Sequence, residues 1–126
     1  MIRLYNSVNE VKLRVLLLLD ETIKYPLTED MILAMDFISV YGKDFGICEE
    51  NLHGDNSYKY SELASRKEVI NQSIKRLFLE GLIDVDTSKG YRYSINDSGI
   101  DFISHIYNDY TEEYRNAISN FYNKYS

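Results

Sequence analysis

Gly81-Leu82-Ile83-Asp84-Val85-Asp86-Thr87-Ser88-Lys89-Gly90-Tyr91-Arg92-Tyr93-Ser94-Ile95-Asn96 is the stretch on which the fold turns. Ile83-Asp84-Val85 and Tyr91-Arg92-Tyr93-Ser94-Ile95 alternate apolar and polar residues, the period of a strand with one buried face. Turn-forming Thr87-Ser88-Lys89-Gly90 joins them, so the stretch reads as an antiparallel hairpin over about 83–95. Upstream, Leu63, Val69, Ile70, Ile74, Leu77 and Phe78 recur at helical spacing after the cap residue Ser61, which predicts a helix over 61–80. Gly81 supplies the left-handed turn that ends it. Downstream, Asn96, Asp97 or Ser98 caps a last helix over 99–124. Helix, Gly-Leu-Ile, two-stranded hairpin, helix is the order of a winged-helix domain. The expected fold is therefore mainly α with a small β-hairpin, a winged-helix-like single domain with a long C-terminal helix.

Two more helices precede this unit. Ser7 and Glu10 have the spacing of a capping box, and Val8, Val11, Val15, Leu18 and Leu19 follow at helical spacing over 7–24. Leu13, Leu16 and Leu17 make the other side apolar too, with Lys12, Arg14 and Asp20 as polar relief. A helix apolar over most of its circumference belongs at the centre of a core or under a partner. Pro26 stops it, and Thr28 caps a helix over 29–42 with Glu29 and Asp30 at its positive end. Asp36 is the main charge inside that apolar run; it reads as an exposed residue or one paired with an arginine. Residues 43–60 carry no period. A loop of that length in so small a chain points to a functional or partner-ordered segment.

The chain has 126 residues, 44% of them apolar and 27% charged, as expected of an ordinary globular domain. Its net charge is −6 and twelve of its seventeen aromatics are tyrosine. That charge opposes general affinity for nucleic acid or anionic membrane. By region, 1–60 carry six bases against ten acids, 61–92 six against five, and 93–126 two against five. The lone Cys48 fits a reducing compartment. The N-terminus lacks a signal-peptide pattern, and the longest apolar run, Val15 to Leu19, is far too short to span a bilayer. The expected location is the cytoplasm, with no membrane association.

A winged helix invites a DNA-binding reading, with Lys75 and Arg76 on the helix and Lys89 and Arg92 in the wing as the contacts. Region 61–92 sums to only +1, because Glu62, Glu68, Glu80, Asp84 and Asp86 interleave with the bases. Cys48, Glu49, Glu50, His53 and Asp55 share one loop, but a structural zinc site wants four nitrogen or sulfur ligands. We expect no metal and no cofactor. Asp44-Phe45-Gly46 repeats three letters of a kinase motif without the glycine-rich or catalytic loops that give it meaning. No nucleophile has a sequence signature, so no catalytic residues are assigned and no enzymatic activity is expected.

The last helix is more informative. Ile103, Tyr107, Tyr110, Tyr114, Ala117 and Phe121 form an apolar-aromatic seam along a rod of about 39 Å. Packing against the first helix explains it, and so does a tyrosine-rich half that docks a partner or a second copy of the chain.

The order of motifs resembles the middle component of ABC-three-component bacterial systems. The resemblance starts with Tyr5-Asn6, Val11-Lys12-Leu13-Arg14-Val15-Leu16-Leu17-Leu18-Leu19 and Asp36-Phe37-Ile38-Ser39-Val40-Tyr41-Gly42-Lys43-Asp44-Phe45-Gly46. It continues in order through Leu52-His53, Asn56-Ser57-Tyr58, Ser61-Glu62-Leu63, Arg66-Lys67-Glu68-Val69-Ile70 and Gly81-Leu82-Ile83. It covers residues 5 to 105 and leaves out the tyrosine-rich tail. It implies a non-enzymatic adaptor or regulatory subunit encoded with an SMC- or Rad50-like ATPase and a variable effector, often a nuclease. The Lamassu anti-phage systems belong to this wider group. DNA contact is then expected only within the complex. Tyr41, Asp44, Phe45, His53, Tyr58, Arg66 and Lys67 would form one partner-binding patch where loop 43–60 folds onto the third helix, with Tyr107, Tyr110, Tyr114 and Phe121 as a second. An intramolecular alternative stands beside the first patch: Asp44 pairs with Arg66 and His53 closes the loop. The differing alternative function is a winged-helix DNA-binding transcriptional regulator.

Overall fold

The computed structural model describes residues 7–46, 48 and 63–125, without the side chains of residues 63, 64 and 125. Its elements run α1 (Val8–Glu21), α2 (Glu29–Val40), α3 (Leu63–Leu79), β1 (Ile83–Asp86), β2 (Arg92–Ile95), α4 (Asp97–Ser104) and α5 (Asp109–Tyr125). The molecule is mostly helical, with one antiparallel hairpin and a long C-terminal helix.

Local chemistry places the helix starts. The Ser7 hydroxyl accepts from the Glu10 amide and the Thr28 hydroxyl from the Met31 amide, each satisfying a free first-turn N–H. α1 is buried nearly all round, through Val11, Arg14, Val15, Leu16, Leu17, Leu18 and Leu19. It packs on α2, α3, α4, α5 and β2, which explains why a 14-residue helix has so little polar surface. Arg14 is part of that interior and not polar relief as expected, because its guanidinium has buried partners described below.

α3 ends in a left-handed turn at Gly81 (φ 75°), where the Leu82 amide reaches back to the Leu77 carbonyl. The hairpin then pairs Ile83 with Ile95, Asp84 with Ser94, Val85 with Tyr93 and Asp86 with Arg92. A third strand segment escapes the alternation rule, being one residue long. Leu27, just before α2, exchanges both backbone hydrogen bonds with Tyr93, at 2.9 and 2.7 Å. Asn96 knits the next junction. Its side chain accepts from the Gly99 amide, capping α4, and donates to the Gly81 carbonyl and to Asp84. Gly99 is required there, since a Cβ would collide with the Leu82 carbonyl and the Ile95 side chain.

The expected continuous helix over 99–124 is broken. α4 stops at Ser104, and α5 restarts after Asn108, whose side chain accepts from the Thr111 amide while Thr111 Oγ1 accepts from the Asn108 amide. This reciprocal cap redirects the chain so that α5 lies across α1 and α2. Tyr107 falls in the break and is 82% exposed, whereas Tyr114, Ala117 and Ile118 are buried. Arg115 fastens α5 to the end of α1 through Asp20 and Glu21, at 2.9 and 2.7 Å.

Candidate functional site

Four helices converge on one carboxylate. Asp36 of α2 is fully buried. Arg14 of α1 donates to it from Nε (2.9 Å) and Nη2 (3.2 Å), in the two-pronged geometry that suits a guanidinium to a carboxylate. Arg66 of α3 donates from Nη1 at 3.0 Å, and Tyr114 of α5 donates its hydroxyl at 2.7 Å. Arg14 Nη1 also reaches the Tyr110 hydroxyl at 3.2 Å, and Tyr110 in turn bonds Glu10. The Arg66 guanidinium lies 5.7 Å from the Phe37 ring centre and 5.8 Å from that of Tyr41, so it sits among aromatic faces on its other side.

Burial alone would push the Asp36 carboxyl up. The Arg14 guanidinium, and Arg66 after it, reverse that effect and hold it at about 2. Burial works against the charged form of Arg14, and Asp36 more than offsets this, so the guanidinium is held above its ordinary value. The Tyr114 hydroxyl is pushed well up, by burial first and by the adjacent Asp36 charge second. Burial likewise raises Tyr110. At neutral pH the cluster therefore contains ionised Asp36, two guanidinium cations and neutral tyrosines. Donors from Arg14, Arg66 and Tyr114 are turned on the Asp36 carboxylate inside the molecule, which makes the cluster a device for fixing four helices relative to each other.

This geometry redistributes the residues that sequence singled out. Arg66 takes Asp36 as its carboxylate partner, in place of the Asp44 of the intramolecular alternative, and Asp44 is exposed. Tyr41 is buried, with its ring 5.2 Å from Phe37, and Phe45 is half-buried with an edge-on contact to the same ring. Lys67 is exposed on α3. His53 and Tyr58 lie outside the described residues, as do Glu49, Glu50 and Asp55 of the acidic loop. Cys48 is half-buried, and its Sγ accepts from Asn120 at 3.8 Å. The second group also divides: Tyr114 belongs to the interior cluster, Tyr110 and Phe121 are half-buried, and Tyr107 projects outward. Lys75, Arg76 and Lys89 are exposed, and Arg92 is half-buried opposite Asp86.

Sequence reasoning named Asp36 and Arg14 without joining them, and left Tyr114 either packed on the first helix or on a partner surface. A signal was available. One acid inside the apolar run of α2, one arginine among the leucines of α1 and a tyrosine on the seam of the last helix are complementary groups in need of burial partners.

Among the described residues, no helix is long and apolar enough to cross a membrane. The model of the family described as "ABC-three component (ABC-3C) system Middle Component 2" matches residues 4–126. The match takes in the tyrosine-rich helix that the sequence resemblance left out. No curated protein and no solved structure matches.

Proposed function

The chain belongs to the ABC-three component system Middle Component 2 family, and from that premise we propose that it is the non-catalytic adaptor of a bacterial anti-phage complex, related to the Lamassu group. In this reading it bridges an SMC- or Rad50-like ATPase and an effector such as a nuclease, in the cytoplasm. The observation that carries the reading is the family match along residues 4–126, since membership makes the chain a component of a multi-protein system.

The geometry supports an adaptor in a second way. The strongest electrostatic feature, the Arg14–Asp36–Arg66 cluster, is enclosed and serves helix placement. Large side chains that face outward among the described residues include Phe78, Leu79 and Tyr91 on the α3 and hairpin side and Tyr107 between α4 and α5. A protein that joins others needs a rigid body with exposed anchors, and this arrangement supplies both.

The test is co-expression of the tagged chain with the proteins encoded beside its gene. The expected result is one complex containing the ATPase and the effector, from which the effector is lost when the chain is omitted. A chain that purifies alone beside both neighbours would overturn the reading. So would tight, salt-sensitive binding of the isolated chain to duplex DNA, which belongs to a transcriptional regulator. Charge reversal at Arg66 is unsuitable as an interface probe, because the residue is buried on Asp36 and the variant reports folding.

A further inference from the structure

α5 is tied to α1 by Arg115, which meets Asp20 and Glu21, and to α2 by the Tyr114 hydroxyl on Asp36. Lys124 ties it to the segment after α2, donating to the Phe45 carbonyl at 3.1 Å. α4 packs on different neighbours, α1 and β2. Only residues 105–108 join the two helices.

That joint is built to bend, yet nothing in it forbids a straight helix. It contains neither glycine nor proline, and among the described residues every positive φ belongs to a glycine. His105 already has helical backbone angles (φ −90°, ψ −2°). Local bonds hold the bend: the reciprocal Asn108–Thr111 cap and a Tyr107 hydroxyl bond to Glu112. A continuous helix exchanges these for backbone bonds. The apolar seam Ile103, Tyr107, Tyr110, Tyr114, Ala117 and Phe121 follows such a helix without interruption. In the bent form Tyr107 alone is cast out of that seam, at 82% exposed. Phe102, 49% exposed, and half-buried Ile106 adjoin the joint. Both line an apolar cleft of about 450 Å³ with Leu13, Leu16, Leu77 and Leu82. Large apolar side chains grouped in this way mark a contact surface.

We propose that two copies of the chain exchange α5. Residues 105–108 straighten, and α4 and α5 become one helix over 97–125, about 43 Å long. Each α5 then docks on α1 and α2 of the other copy, so that each Asp36 cluster is completed by the Tyr114 of the second chain. The occupant of the vacated site is fixed by what fills it in one copy: the same helix, with the same arginine and tyrosine bonds. Because every docked contact is restored, the balance between one copy and two turns on the joint and on the surface newly covered beside it. Phe102, Ile106 and Tyr107 lie at that joint, where the two bodies come closest.

The test uses the full chain. Arg115→Glu in one variant, and Asp20→Arg with Glu21→Arg in another, each set like charges between α1 and α5 of a single copy. Mixed in urea and refolded together, the two variants relieve both clashes only by exchanging α5. Native mass spectrometry is expected to show heterodimer exceeding either homodimer by about tenfold or more. Monomers alone, or heterodimer at no more than the share given by random mixing, overturn the proposal; the second result belongs to a side-by-side dimer. Asp109→Pro supplies an independent measurement. Proline is accepted at the first position of α5 but breaks a continuous helix. In sedimentation over a concentration series the unaltered chain, refolded at high concentration, is expected to show a dimer. The proline variant is expected to remain monomeric with its unfolding unchanged. Asn108→Ala, which weakens the bend, is expected to raise the dimer constant about tenfold or more. An unaltered chain that stays monomeric, or a dimer that persists in Asp109→Pro, overturns the exchange.

Discussion

Asp36→Asn tests the centre of the fold. The substitution keeps the shape of the side chain and removes the charge toward which two Arg14 bonds, one Arg66 bond and the Tyr114 hydroxyl all point. Part of the expected cost follows from proton linkage. A buried carboxyl held at about 2 against 3.8 in the open chain is worth roughly 2–3 kcal/mol to the folded state at neutral pH. Because its folded value is lowered, that contribution is complete above about pH 5 and disappears as pH falls from about 4 toward 2. Asparagine also strands Arg14 and Arg66 as like charges in the interior, and breaking a buried pair in this way costs about 3–5 kcal/mol. For a chain of this size we expect the Tm to fall by roughly 10–20 °C. Circular dichroism melts and urea titrations at pH 7 and pH 3 read both effects. The parent loses stability between those pH values, whereas the variant has already lost the Asp36 share and its curve is flatter. A variant that melts within about 3 °C of the parent, or that keeps the parent's acid limb, would refute a sequestered carboxylate. Replacing the whole ion cluster by apolar residues, Arg14→Met with Asp36→Leu and Arg66→Met, should recover much of the loss, since it leaves no stranded charge.

Tyr114→Phe removes one hydroxyl bond to a charged acceptor and should cost about 1.5–3 kcal/mol in urea unfolding. Since Tyr114 is held neutral well above its ordinary range, the parent should also lose stability as pH rises past about 10, and the Phe variant should lose less. Gly99→Ala should destabilise by about 1–3 kcal/mol, because the new methyl meets the Leu82 carbonyl and Ile95; a neutral result in urea would contradict the close approach. Asn108→Ala removes the cap of α5 and should cost about 1 kcal/mol, with faster amide hydrogen exchange confined to residues at the start of α5.

The parts of the fold that were legible in the sequence are those dictated within a few residues. Ser7 and Thr28 announce their helices because a side-chain oxygen satisfies an amide three positions on. The hairpin shows in the alternation of 83–85 and 91–95, and the end of α3 in Gly81. Illegible features depend on residues far apart in the chain. Arg14 meets Asp36 across 22 positions, Arg66 across 30 and Tyr114 across 78, and no periodicity encodes such meetings. The break between α4 and α5 was hidden because the apolar spacing of 103, 107, 110 and 114 runs through it unbroken, while the Asn108–Thr111 cap that causes it is a two-residue signal.

The Asp36 cluster also orders events in time. Arg14 and Arg66 come from helices that pack directly on one another and on α2, so their bonds to Asp36 close short loops. Tyr114 closes the longest, and the entropy of closing a loop grows with its length. The docking of α5 is therefore expected to follow the assembly of α1, α2 and α3. A contact made after the folding barrier leaves the folding rate alone and slows escape from the native state. In this sense the phenol of Tyr114 is expected to act as a latch, closing last and slowing the opening of the molecule.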